Sequence, residues 1–299
     1  AIRYYCLYKK GRAVMKIAVV VNLSKEKAIS CAKEIAILFL GENADVVMLS
    51  ECKPFYKGIN ISYVDTIDEL FGCCDAAVTA GGDGTIIHAA KYAAVNNVPL
   101  IGVNVGRLGF AADLEPDDIG RLKKLVNKEY TTEKRILLDV EVNKDGETKH
   151  YLAVNDAVIA RGQFSKIIDI NLYLDDEWIA KYRADGLLFA TPTGSTAYSL
   201  SAGGPIVAPQ TDCIIATPVC PHSLHSRSVL FDGSASLAVT VQIPADCCCL
   251  LTVDGEKNVD ILSEDTAKIK KSELCLELIS LRKRNFFKLL NEKLKEREM

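Results

Sequence analysis

The hydrophobic period of this chain changes near residue 135, and that change restricts what it can fold into. Upstream, apolar runs alternate with helical stripes. Residues 15–21 are almost continuously apolar, as in a strand buried on both faces. Ala28, Cys31, Ile35 and Leu38 then recur at helical spacing, with Gly41 as the stop. Residues 45–49, 76–79 and 100–103 read as further strands. The 76–79 strand leads through a glycine turn into a helix carrying Ile86, Ala89 and Ala93. Repeated strand–helix–strand units predict a parallel sheet with helices on its faces.

Downstream the period becomes two. Leu138, Val140 and Val142 alternate with polar residues, as do Ile168 to Leu174 and Leu237 to Ile243. Asp145-Gly146 and Asp254-Gly255 are hairpin dipeptides. This predicts an antiparallel all-β domain. Beyond Arg282, Phe286, Phe287, Leu290 and Leu294 form a final helical stripe, expected to return to the first domain. The domains expected are therefore 15–134 with 281–299, and 135–280. Residues 1–14 read as an extension ahead of Met15, too poor in apolar residues for a signal peptide.

Composition excludes several classes of function. With 49% hydrophobic and 25% charged residues, the chain is neither disordered nor fibrous. A net charge of -3 supplies no global field for a nucleic-acid backbone or an anionic membrane. No apolar run approaches the ~20 residues of a membrane span. The 11 cysteines stand singly or side by side, with no C-x-x-C pair. They read as buried thiols of a reducing, cytoplasmic protein. His222 and His225 lack the glutamate spacing of a metalloprotease helix and read as a polar packing corner.

Three segments carry chemistry. Gly81-Gly82-Asp83-Gly84-Thr85 follows a strand and opens a helix. Its glycines let backbone amides approach a phosphate at a helix N-terminus. A carboxylate there needs a metal ion between it and the phosphates, or a role as proton acceptor; otherwise Asp83 simply caps the helix. Residues 191–201 (TPTGSTAYSLS) hold seven hydroxyls, suited to a ligand rich in oxygen, and Tyr198 could stack a flat base. The alternative is a long solvated loop. Arg183 and Asp185 precede it and can supply a phosphate contact and a hydrogen-bond acceptor. Asn155-Asp156, inside an apolar stretch, could face a ribose diol or form a turn or bulge.

The order and spacing of Gly81–Thr85 and of Asp185-Gly186 with Thr191–Pro205 closely resemble those of bacterial-type NAD kinases, over about residues 15–294. The resemblance implies an N-terminal Rossmann-like α/β domain and a C-terminal β-sandwich-like domain, with the nucleotide between them. It implies transfer of the terminal phosphoryl of ATP or polyphosphate to the adenosine-ribose 2′-hydroxyl of NAD, forming NADP. It further implies a divalent metal (Mg²⁺ or Mn²⁺) held mainly by substrate phosphates, and a homodimer or homotetramer.

By motif position, Asp83 would accept the proton, with Gly84 beside it. His88 would stand where an arginine often lies near the phosphates, and Phe110 near the adenine. Asn155 and Asp156 would hold ribose hydroxyls. Lys166 and Arg183 match basic positions, and Asp185 would face the nicotinamide end or a partner subunit's ligand. Thr196, Ala197, Tyr198 and Ser201 would line the pocket. The sequence departs from the family pattern at Asp156 (usually Glu), Glu256 (often Gln) and Ser228 (often Pro). A lipid kinase sharing the first motif and a non-catalytic NAD sensor are the competing readings.

Overall fold

A computed structural model of the chain describes residues 14–106, 109–144, 146–162, 166–223, 225–244, 247–282 and 285–297. Apart from Val14, the extension read at 1–14 lies outside them, as does Asp145. Two compact units result. One reaches Lys134 and resumes at Leu276; the other is Arg135–Cys275.

The first unit contains β1 (Lys16–Val21), α1 (Glu26–Gly41), β2 (Asp45–Leu49), β3 (Ser62–Val64), α2 (Ile67–Cys73), β4 (Ala76–Gly81), α3 (Asp83–Asn96), β5 (Leu100–Asn104) and the short α4 (Lys123–Val126). Its strands are parallel in the order β5-β4-β1-β2-β3. The chain runs outward from β1 to β3, then returns to place β4 on the other side of β1. The loops leaving β1 and β4 therefore meet at the carboxyl ends of adjacent strands, where the winding reverses. Open α/β sheets bind ligands at that position.

The stripe on α1 is wider than the sequence spacing indicates: Ala28, Cys31, Ala32, Ile35, Ala36 and Phe39 are buried, while Leu38 is only half-buried. They pack on Ile17, Val19, Val46, Met48 and Val78 of the sheet. The spacing does not indicate β3, whose three residues are too few for a period, or α2, a helix of only seven residues. The start of α2 did carry a signal, since Thr66 and Glu69 form a reciprocal capping box.

The second unit is all-β. It comprises β6 (Thr131–Lys144), which enters it from the first unit, β7 (Glu147–Ala153), β8 (Asp156–Arg161), β9 (Ile168–Leu174), β10 (Glu177–Ala184), β11 (Gly186–Ala190), a turn with the one-turn helix α5 (Tyr198–Ser201), then β12 (Cys213–Val219), β13 (Val229–Asp232), β14 (Leu237–Gln242), β15 (Cys249–Val253), β16 (Lys257–Ile261) and β17 (Thr266–Ser280). One sheet has β10-β9-β14-β17, with β6 paired to β17 and β7 paired to β6; the other is β13-β12-β11-β8-β15-β16. Inward residues of both share a single core, including Leu138, Ile170, Val239, Phe189 and Leu251. Strand β11 is buried throughout, because Leu188 and Ala190 on its other face pack against Val207 and Ile215. That explains its uninterrupted apolar sequence.

The last residues of β17 belong to the first unit, where Leu278 pairs with Leu100. Arg282 then donates to the Asp113 carbonyl (2.6 Å) and pairs with Asp118 (2.8 Å). The closing helix α6 (Phe286–Arg297) sets Phe286 against Phe110, ring centroids 6.3 Å apart.

Among the described residues, ten cysteines are free. Burial pushes the thiols of Cys31 and Cys249 up to about 12 and that of Cys52 to about 11, so they are unreactive near neutrality. The expectation of buried thiols fails at Cys220 and Cys248, which are exposed because they lie in connections, just after β12 and just before β15. No helix among the described residues is long and apolar enough to cross a membrane.

Phe189 is fully buried at the centre of the second core. Phe189→Ala is expected to cost about 3–5 kcal/mol, read as a lowered thermal midpoint; an unchanged midpoint would contradict this packing.

Candidate active site

In the first unit, β4 ends at Gly81 and α3 starts at Asp83. Gly81 must lack a side chain, since a Cβ there would overlap Thr85. The reading of Asp83 as a helix cap fails: α3 has no side-chain cap, and the carboxylate turns the other way. Its two oxygens accept the backbone amides of Phe110 (3.0 Å) and Ala111 (3.3 Å), in the loop beyond β5. A Cβ on Gly109 would collide with this carboxylate, so the loop can approach only as glycine. Asn104, buried at the end of β5, braces the same loop through Gly106: its Oδ1 accepts the Gly106 amide at 3.2 Å.

Beside the turn, a cleft of ≈ 380 Å³ is lined by Asn22, Leu49, Cys52, Ile67, Thr85 and His88, among others. Its size suits a small organic ligand. The His88 ring also lies 5.7 Å from that of Tyr92.

In the second unit, Asn155-Asp156 stands where β8 begins, opposite Ala190 at the end of β11. The amides of Val154 (3.0 Å), Asn155 (2.7 Å) and Asp156 (3.1 Å) all donate to the Asp254 carboxylate. The sequence marked Asp254 only as a turn residue. The turn is real, with Asp254 and Gly255 both at positive φ, but its carboxylate also fixes the chain that carries Asn155 and Asp156. Asp156 is buried. Burial and the nearby Asp254 charge push its carboxyl up to about 7, so near neutrality it can donate as well as accept a hydrogen bond.

The hydroxyl-rich segment is not a solvated loop, and most of its hydroxyls face inward. Thr191 Oγ1 donates to the Val154 carbonyl (2.7 Å), Ser195 Oγ to that of Pro192 (2.7 Å), and Ser199 lies 3.4 Å from Thr217. These side chains shape the turn and hold it on Asn155, whose carbonyl accepts the Thr191 amide (2.9 Å). A Cβ on Gly194 would overlap that carbonyl. Thr196 is buried with its Oγ1 3.3 Å from the Thr193 carbonyl, Ala197 is half-buried, and Tyr198 and Ser201 are exposed. The exposed Tyr198 ring is the member of the segment free to meet a flat ligand.

Lys166, Arg183 and Asp185 are not brought to this end. The Asp185 carboxylate pairs with Arg161 (2.6 Å), at the far end of β8 from Asp156, and the Lys166 amide lies 3.4 Å from Cys247 Sγ on the same side. Five strand steps, roughly 16 Å, separate the two groups. Arg161 was missed, and its pairing holds the Asp185 carboxylate in place. Arg183 is exposed on β10, and Glu256 is exposed after the Asp254-Gly255 turn.

Residues 17–130 match the family model for the ATP-NAD kinase N-terminal domain, and residues 154–281 that for the ATP-NAD kinase C-terminal domain. The chain is 35% identical over 281 residues to the NAD kinase of Chlorobium phaeobacteroides, covering 94% of this chain and 96% of that protein. A crystal structure of yeast NADH kinase complexed with NADH superposes with a TM-score of 0.86 at 23% identity, over 94% of this chain and 88% of that one. An NAD kinase from Archaeoglobus fulgidus in complex with ATP gives 0.72 at 25% identity, over 94% and 99%.

The raised carboxyl of Asp156 makes stability depend on pH. Its folded value lies above the unfolded one, so its contribution is complete below about pH 4 and is lost as the pH rises through about 7. Across that window the wild type should lose on the order of 4 kcal/mol relative to Asp156→Asn. Thermal midpoints measured from pH 4 to pH 8 check this; parallel curves for the two proteins would contradict it.

Proposed function

The chain belongs to the NAD kinase family and is a kinase, and from that premise we propose how its residues divide the reaction. The acceptor is the 2′-hydroxyl of the adenosine ribose of NAD. The donor is ATP or polyphosphate, and the products are NADP and the shortened donor. Asp83 accepts the hydroxyl proton as the oxygen attacks the terminal phosphorus and the bond to the leaving phosphate breaks.

The observation that carries this reading is the posture of Asp83. An ionised carboxylate offers about four acceptor positions. Phe110 and Ala111 occupy two, orienting the group and leaving lone pairs for an incoming hydroxyl. Gly82 and Gly84 bring the backbone of the α3 N-terminus to donor phosphates, Gly81 and Thr85 pack together to shape the turn, and a cleft of nucleotide-compatible size lies beside it. Asn155 and Asp156 hold the ribose diol, with Asp156 able to donate or accept near neutrality. By the family resemblance, Phe110 of the first unit and Thr196, Ala197, Tyr198 and Ser201 of the second are each assigned to the adenine end of the ligand. Lys166, Arg183 and Asp185 serve the rest of the dinucleotide, while Glu256, beside the Asp254 turn, is assigned to the Asn155-Asp156 end. The separation within the second unit suits two ends of one extended ligand better than a single sugar.

A divalent cation belongs to the same proposal. Among the described residues no three His, Cys, Asp or Glu side chains gather as metal ligands. In this proposal the ion is held mainly by phosphate oxygens of the donor, as Mg²⁺ commonly is. Bound there, the ion would neutralise charge on the phosphates. A cytoplasmic homodimer or homotetramer is the assembly proposed, from the family resemblance.

A coupled assay for NADP formation from NAD tests the function, comparing ATP with polyphosphate, with and without chelator. The wild type should form NADP, and chelation should stop it. Asp83→Asn should turn over at least about 10²-fold more slowly while binding NAD with wild-type affinity. A near-wild-type rate would refute the role of Asp83.

A further inference from the structure

The loop between β1 and α1 holds a residue that no motif marks. Asn22 Oδ1 accepts the Ser24 amide (3.1 Å) and hydroxyl (2.6 Å), and the Lys25 amide donates to the Asn22 carbonyl (3.2 Å). This fixes Lys25 as the residue preceding α1. Its ammonium crosses to the neighbouring loops. A Cβ on Gly106 would stand 3.4 Å from Lys25 Nζ, and one on Gly82 3.8 Å away. Among the described residues, Lys25 forms no ion pair.

Lys25 is exposed, so its ammonium is solvated and open to a ligand at this turn. The ammonium lies beside the turn that opens the 14-residue helix α3, whose N-terminus carries partial positive charge. The Asp83 carboxylate, which could offset it, is turned to Phe110 and Ala111. Two centres of positive charge around a glycine turn are stabilised when an anion lies between them. The loop is also the one that meets Gly82 where the sheet winding reverses, and its Asn22 and Leu23 line the cleft. Lysine suits such a position, because its ammonium is a compact charge with three donors that can follow a moving phosphate.

We propose that Lys25 is a donor-binding residue, gripping the polyphosphate of the donor against the Gly82 and Gly106 turns. The inference rests on the kinase reading above. The shared chemistry is a phosphate oxygen, which the donor chain and the NAD pyrophosphate both offer; the position of Lys25 on the cleft-lining loop favours the donor.

Two measurements on the full chain decide it, using Lys25→Met and Lys25→Arg. In steady-state NADP formation, Lys25→Met should lower kcat/KM for ATP about 10- to 100-fold, with KM for NAD within about twofold of wild type. Lys25→Arg should recover most of the loss. Separately, inorganic tripolyphosphate should raise the melting temperature of the wild type and of Lys25→Arg but not of Lys25→Met. Unchanged ATP kinetics in Lys25→Met would overturn the proposal, as would an effect on KM for NAD alone. So would equal responses to tripolyphosphate, or none in the wild type. A wild type that makes no NADP yet shows the Lys25-dependent shift would instead refute the kinase reading and leave Lys25 as a polyphosphate-binding residue.

Discussion

One carboxylate ties together the loops that leave two adjacent parallel strands. Asp83 opens α3 just beyond β4, and the amides it accepts belong to the segment after β5. The bond requires glycine on both sides of it. Gly81 admits Thr85 beneath the turn, and Gly109 allows the second loop to reach the carboxylate. Gly81 does not have positive φ, so it is needed for space and not for backbone conformation. The arrangement fixes the direction of the carboxylate before any ligand arrives, and preorganised groups of this kind lower a barrier without reorganising during reaction.

A second carboxylate binds backbone amides in the other unit, with a different consequence. Asp254 collects the amides of Val154, Asn155 and Asp156, which pins the start of β8 beside the Thr191 turn. Its negative charge then lies near the buried Asp156 and raises that carboxyl. Structural order at Asn155-Asp156 thus comes with a carboxyl poised between its two protonation states. A shorter Asp in place of the family's usual Glu remains in the apolar strand register, close to Asp254.

Much of this was legible in the sequence, for identifiable reasons. Parallel strands buried on both faces, such as Lys16–Val21, appear as continuous apolar runs. The outer strands of the second unit alternate because one side of each faces water. Gly81–Thr85 announced a strand–turn–helix corner, and the corner is there. The hydroxyls of 191–201 were harder to assign. Thr191, Ser195 and Ser199 resemble ligand contacts in sequence, yet they satisfy buried carbonyls and hydroxyls of a tight turn. Residue type does not reveal which way a hydroxyl points. Asp254 read as a hairpin residue because its partners lie about a hundred positions upstream. Lys25 is one of 36 basic residues, and only the strand order shows that its loop borders Gly82.

Direct observation of the reacting atoms is the strongest test of the central claim. A crystal structure of the chain with NAD bound would give the separation between the Asp83 carboxylate and the 2′-oxygen of the adenosine ribose. Proton acceptance requires hydrogen-bond reach, about 2.6–3.2 Å, directly or through one water. A well-ordered NAD whose 2′-oxygen lies beyond that reach, with the carboxylate still on the Phe110 and Ala111 amides, would contradict the account.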